Sequence, residues 1–184
     1  MKIIGITGTL GAGKGTIVDY LTQHHHFKHF SVREYLSRII KAHGQQVNRD
    51  TLVATANELR AQNTPSFIAE ELYREASESG EDCIIESIRT VGEITALRAK
   101  GKFYLFAVDA GQKLRYQRIV ERASETDRIS FETFVENEAR EMNSTDPNKQ
   151  NLGACMNLAD YKFVNNGSFD ELYRQIDEVL KQII

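Results

Sequence analysis

The chain has 184 residues, is 41% hydrophobic and 27% charged, and carries a formal net charge of -3. That length allows one domain with a sizeable core, and that charge gives no overall attraction to nucleic acid or to an anionic membrane. No run approaches the roughly 18 apolar residues of a membrane span, and the two cysteines, Cys83 and Cys155, stand too far apart in the chain to form a metal-type pair.

The N-terminus runs straight into an apolar strand at residues 2–7 and then into Gly8-Thr-Leu-Gly-Ala-Gly-Lys-Gly-Thr16. Cleaving a signal peptide would remove this stretch, so none is expected and the location predicted is cytoplasmic. Gly8, Gly13 and Lys14 have the spacing of a phosphate-binding loop between a strand and a helix. Gly8, Gly11, Gly13 and Gly15 allow tight turning and, with Leu10 and Ala12, expose backbone N–H groups to phosphate. Lys14 adds a full positive charge. Gly15 stands where the commonest form of the loop has Ser or Thr, and the nearest hydroxyl is that of Thr16.

Residues 27–30 suggest a short second strand. Val32, Leu36, Ile39 and Ile40 make one helical stripe, and Leu52, Val53, Ala56 and Leu59 another. Pro65 suits the first turn of a further helix carrying Phe67, Ile68, Leu72 and Tyr73. Cys83-Ile84-Ile85 is a buried strand ending at Glu86, residues 103–108 form a longer one ending at Asp109, and residues 162–164 form the last, ending at Asn165-Asn166-Gly167. A helical stripe of Phe169, Leu172, Ile176, Val179, Leu180 and Ile183 closes the chain. Strands alternating with helices predict a parallel sheet in an α/β layered fold. Ligands on such sheets collect at the carboxyl ends of strands, so the loop at Gly8, Glu86, Asp109 and Asn165 should share one rim.

A phosphoryl-transfer enzyme needs a metal, an acceptor site and mobile cations beside the loop. For the metal, Thr16 and Glu86 are the expected oxygen donors, with Asp109 the rival acid or else a helix cap. For the acceptor, Arg89 projects from the rim three residues after Glu86, with Arg33, Glu34 and Arg60 as further substrate contacts. For the cations, Arg115, Arg118 and Arg122 share one helical face, and a polar stretch at residues 124–128, ending in Arg128, suits a lid. Arg118 and Arg122 are the ones expected to act, and Arg140, on a helix over residues 131–142, is a further cation that could turn inward. His24-His25-His26 cannot make one zinc site, because consecutive residues point to different sides; they are expected on the surface. Asn165-Asn166-Gly167 is first a turn, with side chains in reach of a base.

These residues resemble the adenylate kinase-like P-loop small-molecule kinases. The group's loop also has Gly after the Lys and Thr after that Gly. Residues 30–36 resemble the segment opening its acceptor helices, with Arg33-Glu34 in place of Gly-Asp. Glu86-Ser87-Ile88-Arg89 resembles its Asp-Gly-x-Arg rim motif. Arg118 and Arg122 match the two arginines that open its lid. The segment after Phe131 is similar to dephospho-CoA kinase-like and adenylate kinase-related proteins. The resemblance implies one P-loop kinase domain over residues 1–184, a five-stranded parallel sheet in the order 2-3-1-4-5 with helices on both faces, an acceptor-binding helical region at residues 32–80 and a short lid at about residues 115–140. It implies ATP and Mg²⁺, and a phosphorylated acceptor: a nucleoside or deoxynucleoside monophosphate, with dephospho-CoA second. The rival readings are an ATPase or switch and a nucleotide-binding module without turnover. No obligate protein partner is evident.

Overall fold

A computed structural model describes residues 1–122 and 128–183. In chain order the elements are β1 (Ile3–Gly8), α1 (Lys14–His25), β2 (Lys28–Ser31), α2 (Val32–Ala42), α3 (Arg49–Gln62), α4 (Phe67–Ser79), β3 (Cys83–Glu86), α5 (Val91–Ala99), β4 (Phe103–Asp109), α6 (Gln112–Arg122), α7 (Phe131–Met142), α8 (Leu152–Asn157), β5 (Tyr161–Val164) and α9 (Phe169–Ile183). The strands form one sheet in the order β2-β3-β1-β4-β5, and every pairing is parallel.

Neighbouring side chains on a strand point to opposite faces, and a parallel sheet buries both. Ile3, Cys83, Ile85 and Leu105 therefore pack into one core with α2, α3, α4, α5 and α8. Ile4, Ile6, Ile84, Phe106 and Val108 pack into the other with α1 and α9. Burial on both sides is why these strands show as continuous apolar runs rather than alternating ones. On α9, Leu172, Ile176, Leu180 and Ile183 are buried at helical spacing. Phe169, assigned to that stripe from sequence, is instead 60% exposed at the start of the helix. Pro65 lies before the α4 N-cap, Ser66, rather than inside the first turn. There its Cβ stands only 2.8 Å from where a side chain on Gly92 would begin, so Gly92 lets α5 approach α4.

Register decides where the strands end. Ile6 aligns with Glu86, Ser31 with Glu86, Gly8 with Val108 and Asp109 with Val164. The phosphate loop, Ser31, Glu86, Asp109 and Asn165 thus reach one rim, as the parallel topology requires. Gly8 cannot carry a side chain there: its φ is +146° and a Cβ would lie 2.2 Å from the Val108 carbonyl oxygen.

Ser87 departs from the rule that positive φ belongs to glycine. Its φ is 69°, at the position where the resembled rim motif has Gly. An L-residue in that region is strained. Ser87→Gly is therefore expected to raise unfolding free energy by up to about 1 kcal/mol, read from the midpoint of denaturant unfolding. An unchanged or lower midpoint would mean that the weak Ser87 hydroxyl contact to Glu86, at 3.4 Å, outweighs the backbone strain.

Candidate functional site

The loop leaves β1 and turns into α1 with Gly8, Gly11 and Gly13 all at positive φ. A Cβ on Gly13 would meet the Asn165 amide nitrogen at 2.3 Å, so the glycine is required by that close approach. Asn165, only 2% exposed, donates through Nδ2 to the Ala12 carbonyl at 2.9 Å and so ties the end of β5 to the loop. Ala12 is fully buried and serves this tie rather than the cleft wall. Lys14 Nζ donates to the carbonyls of Gly8 and Thr9, both at 2.9 Å, which folds its ammonium over the loop. Burial pushes its pKa down to about 7, and the nearby charge of Arg89 adds to the shift. A Cβ on Gly15 would meet no atom within 4 Å.

These residues floor a cleft of about 590 Å³, within the range of small-molecule sites. Leu10, Gly11, Gly13, Lys14, Gly15 and Thr16 line its loop side. Glu86 and Arg89 line the rim of β3, and Arg33, Arg60, Arg118 and Arg122 also reach it. Most of the residues singled out from sequence therefore meet in one space. Arg49, Glu141 and Gln150 join them without having been singled out. Leu36, Leu52, Val53 and Ala56 supply an apolar wall on the side of α2 and α3.

Several expectations need correction. Glu34 is exposed in the first turn of α2, where its backbone amide donates to the Ser31 hydroxyl, and it does not line the cleft. Arg115 is not a lid cation. It is 4% exposed, and its guanidinium donates to the carbonyls of Ala110 and Leu10 at 2.8 and 3.2 Å and pairs with Glu138 at 2.5 Å. It is a pin from α6 to the phosphate loop and to α7. Arg140 is exposed, pairs with Asp50 at 3.8 Å and does not reach the cleft. Asp109 neither caps α6 nor lines the cleft: its carboxylate accepts from the Thr9 hydroxyl at 2.6 Å and from the amide of Ala110 at 2.8 Å. Of the lid stretch predicted at residues 124–128, only Arg128, which is exposed, lies within the described residues. Of the three histidines, His25 is half-buried and meets Asp177 at 3.2 Å.

Arg60 is more constrained than expected. It is 1% exposed, and its Nε and Nη2 donate to Glu93 at 3.2 and 2.8 Å. Glu93 also accepts from the amides of Arg89 and Thr90, at 2.7 and 3.1 Å, and so fixes the backbone of the rim. Buried nitrogens of Arg49, Arg60 and Arg118 have no hydrogen-bond partner among the described residues. Buried polar groups are normally satisfied, so these donors have capacity for the oxygens of a bound phosphate, while the Oδ1 atoms of Asn57 and Asn165, likewise without a partner among the described residues, have capacity for donors.

The donor set fits phosphate: positive-φ glycines, a lysine and arginines on one cleft. For Mg²⁺, Thr16 and Glu86 offer the hard oxygens that ion takes, and they need supply only one or two. The described residues hold no group of three or more His, Cys, Asp or Glu suited to a metal. Burial alone would raise the Glu86 pKa, but its hydrogen bond with His29 at 3.1 Å and the charges of Lys14 and His29 outweigh it and hold the carboxyl below its ordinary value. Glu86 is thus an anion at neutral pH. Cys83 and Cys155 are buried, which pushes both thiols up to about 12 and leaves them unreactive.

A parallel sheet in the order 2-3-1-4-5, with the glycine loop leaving its central strand, is the architecture of P-loop kinases, and this chain has it. The chain belongs to the AAA-domain family, whose profile matches residues 4–144, and among its relatives to the UPF0200 proteins. A UPF0200 protein of Methanococcus maripaludis strain C7 is 30% identical over 187 aligned positions, which take in 100% of this chain and 98% of that relative. Among solved structures, TT1252 from Thermus thermophilus is similar with a TM-score of 0.64 and 20% identity, covering 100% of this chain and 98% of that one. A shikimate kinase from Bacteroides thetaiotaomicron is similar with a TM-score of 0.59 and 13% identity, covering 98% of each chain. At these identities the structural likeness is one of fold. No helix among the described residues is long and apolar enough to cross a membrane.

Proposed function

We propose that the protein is an ATP-dependent phosphotransferase whose acceptor is small and already phosphorylated. A nucleoside or deoxynucleoside monophosphate is the favoured acceptor, and dephospho-CoA the next. The carrying observation is the charge of the cleft. Lys14 and six arginines line it, at positions 33, 49, 60, 89, 118 and 122, against Asp19, Glu86 and Glu141, in a chain whose formal net charge is -3. Such local excess fits a nucleoside triphosphate together with a phosphorylated acceptor better than the same donor with a neutral sugar.

The division of labour follows from position. Loop amides and Lys14 hold the donor's terminal phosphates, and Lys14 offsets the charge that builds as the phosphoryl group moves. Arg118 and Arg122 approach the donor from α6. Arg89, with Arg33 and Arg60, holds the acceptor's phosphate so that its attacking oxygen lies in line. Bound Mg²⁺, held by Thr16 and Glu86 directly or through water, would supply charge neutralisation between the phosphates. Asn165 and Phe169 line the cleft beside Arg118 and Arg122, within reach of a donor base. No covalent enzyme intermediate is needed.

The test is ATP consumption across a panel of nucleoside and deoxynucleoside monophosphates and dephospho-CoA. Consumption is expected to depend on one acceptor class and to yield its phosphorylated product. Consumption indifferent to acceptor would replace this reading with hydrolysis, and none across the panel would favour a binding module.

A further inference from the structure

The last turn of α7 carries a carboxylate into the acceptor side of the cleft. Glu141 accepts from Arg49, at the start of α3, through Oε1. It accepts from Arg89, on the rim after β3, through Oε2 at 3.0 Å. Its side chain is 5% exposed, and those of Arg49 and Arg89 are 19% and 21% exposed. Arg140 and Asp50 meet beside it at 3.8 Å, so the end of α7 is fastened to α3 twice. Gln150 Oε1 accepts from the same Arg89 nitrogen at 2.9 Å. Arg49 Nε remains buried with no hydrogen-bond partner among the described residues.

Two partly desolvated guanidiniums side by side need an anion, and in this structure the protein supplies its own. The match is incomplete. Each carboxylate oxygen serves one terminal nitrogen, and Arg49 Nε is left over. A phosphate has one more oxygen to offer, and guanidinium binds it in a fork. Phosphate and Glu141 cannot share the place, because two anions a few ångströms apart in a half-dry site repel strongly.

We propose that Glu141 is a resident counter-anion in a phosphate site formed by Arg49 and Arg89. The acceptor's phosphate takes its place on binding, and the exchange removes the stronger of the two ties between the end of α7 and α3, leaving only the exposed Arg140–Asp50 contact. Neutral acceptors lack the charge to displace Glu141, so the residue selects for acceptors that bring their own phosphate. The identity of the occupant rests on the phosphotransferase reading; the exchange itself does not.

The experiment measures inorganic phosphate binding by calorimetry in a Lys14→Met background, which weakens the competing loop site, with Glu141 intact and with Glu141→Gln. The Gln protein is expected to bind phosphate about tenfold more tightly or better, because its arginines have lost their competitor. Equal or weaker binding overturns the proposal. Amide hydrogen exchange at residues 138–143 gives a second reading that needs no substitution at Glu141. In the Lys14→Met protein, saturating phosphate should speed exchange there, and slowed or unchanged exchange overturns the proposal. If both results hold while the acceptor panel yields no transfer, the kinase reading fails alone. If transfer is found while phosphate affinity is unmoved by Glu141→Gln, the exchange fails alone.

Discussion

Lys14→Met is expected to lower phosphoryl transfer by a thousandfold or more, because it removes the one full charge on the loop where transition-state charge develops. Retention of full activity would refute the role given to Lys14. The same residue makes nucleotide binding depend on pH in a defined direction. The unliganded ammonium titrates at about 7, lowered chiefly by burial. A bound polyphosphate favours the charged form and raises that value. Below pH 7 the lysine is charged with or without nucleotide, and affinity is at its greatest. Above pH 7 binding must take up a proton, and affinity falls on the order of tenfold per pH unit until the liganded pKa is reached. Calorimetry at pH 8 in buffers of differing ionisation heat should show net proton uptake on nucleotide binding, absent in Lys14→Met.

Folding stability carries the matching sign. Lys14 has a lower pKa folded, about 7, than its ordinary 10.5. The unfolded chain therefore binds more protons between those values. The lysine destabilises the unliganded fold fully below about pH 7, and the penalty fades as pH rises toward 10.5. The stability of Lys14→Met relative to the natural protein should accordingly decline from pH 7 to pH 10. A difference that stays constant with pH would show that the ammonium is not perturbed.

The largest loss of stability is expected from Glu93→Gln, about 3–5 kcal/mol in denaturant unfolding. That change leaves Arg60 buried with its charge uncompensated; the side chains of the pair are 0% and 1% exposed. It also weakens the acceptor for the amides of Arg89 and Thr90. Arg60→Met should cost less, because Glu93 keeps those two amide donors. Equal losses for the two variants would show that the pair acts through charge alone, with no share from the rim amides.

The strands and the loop were legible because the chemistry that makes them is local. Strands buried on both faces leave apolar runs, and a loop that wraps phosphate must carry glycine at fixed places. The shared rim followed from parallel topology. The acceptor side was less legible. Glu141 meets Arg49 from 92 residues away, and charges at helix ends look the same in sequence whether they face water or each other. Arg60 was marked as a substrate contact, and it does line the cleft, but it also stands four residues after buried Ala56, on the buried stripe of α3, where it pairs with Glu93. That spacing was a readable sign of burial. Thr90-Val91-Gly92-Glu93 has the spacing of a capping box, which is what it forms. Glu93 could therefore have been placed at a helix start, but not beside Arg60. The strain at Ser87 has no sequence signal beyond the resemblance, which places Gly there.

The position of β1 in the sheet has a consequence for how the chain is made. β1 leaves a ribosome well before its two hydrogen-bonding neighbours, which begin at Cys83 and Phe103. Synthesis at roughly 5–20 residues per second keeps it waiting on the order of ten seconds for them. Throughout that interval Ile3, Ile4 and Ile6, each at most 2% exposed in the finished fold, have no sheet to enter. The strand that later leads into the phosphate loop is therefore an unpaired apolar segment for most of the time the domain takes to be made.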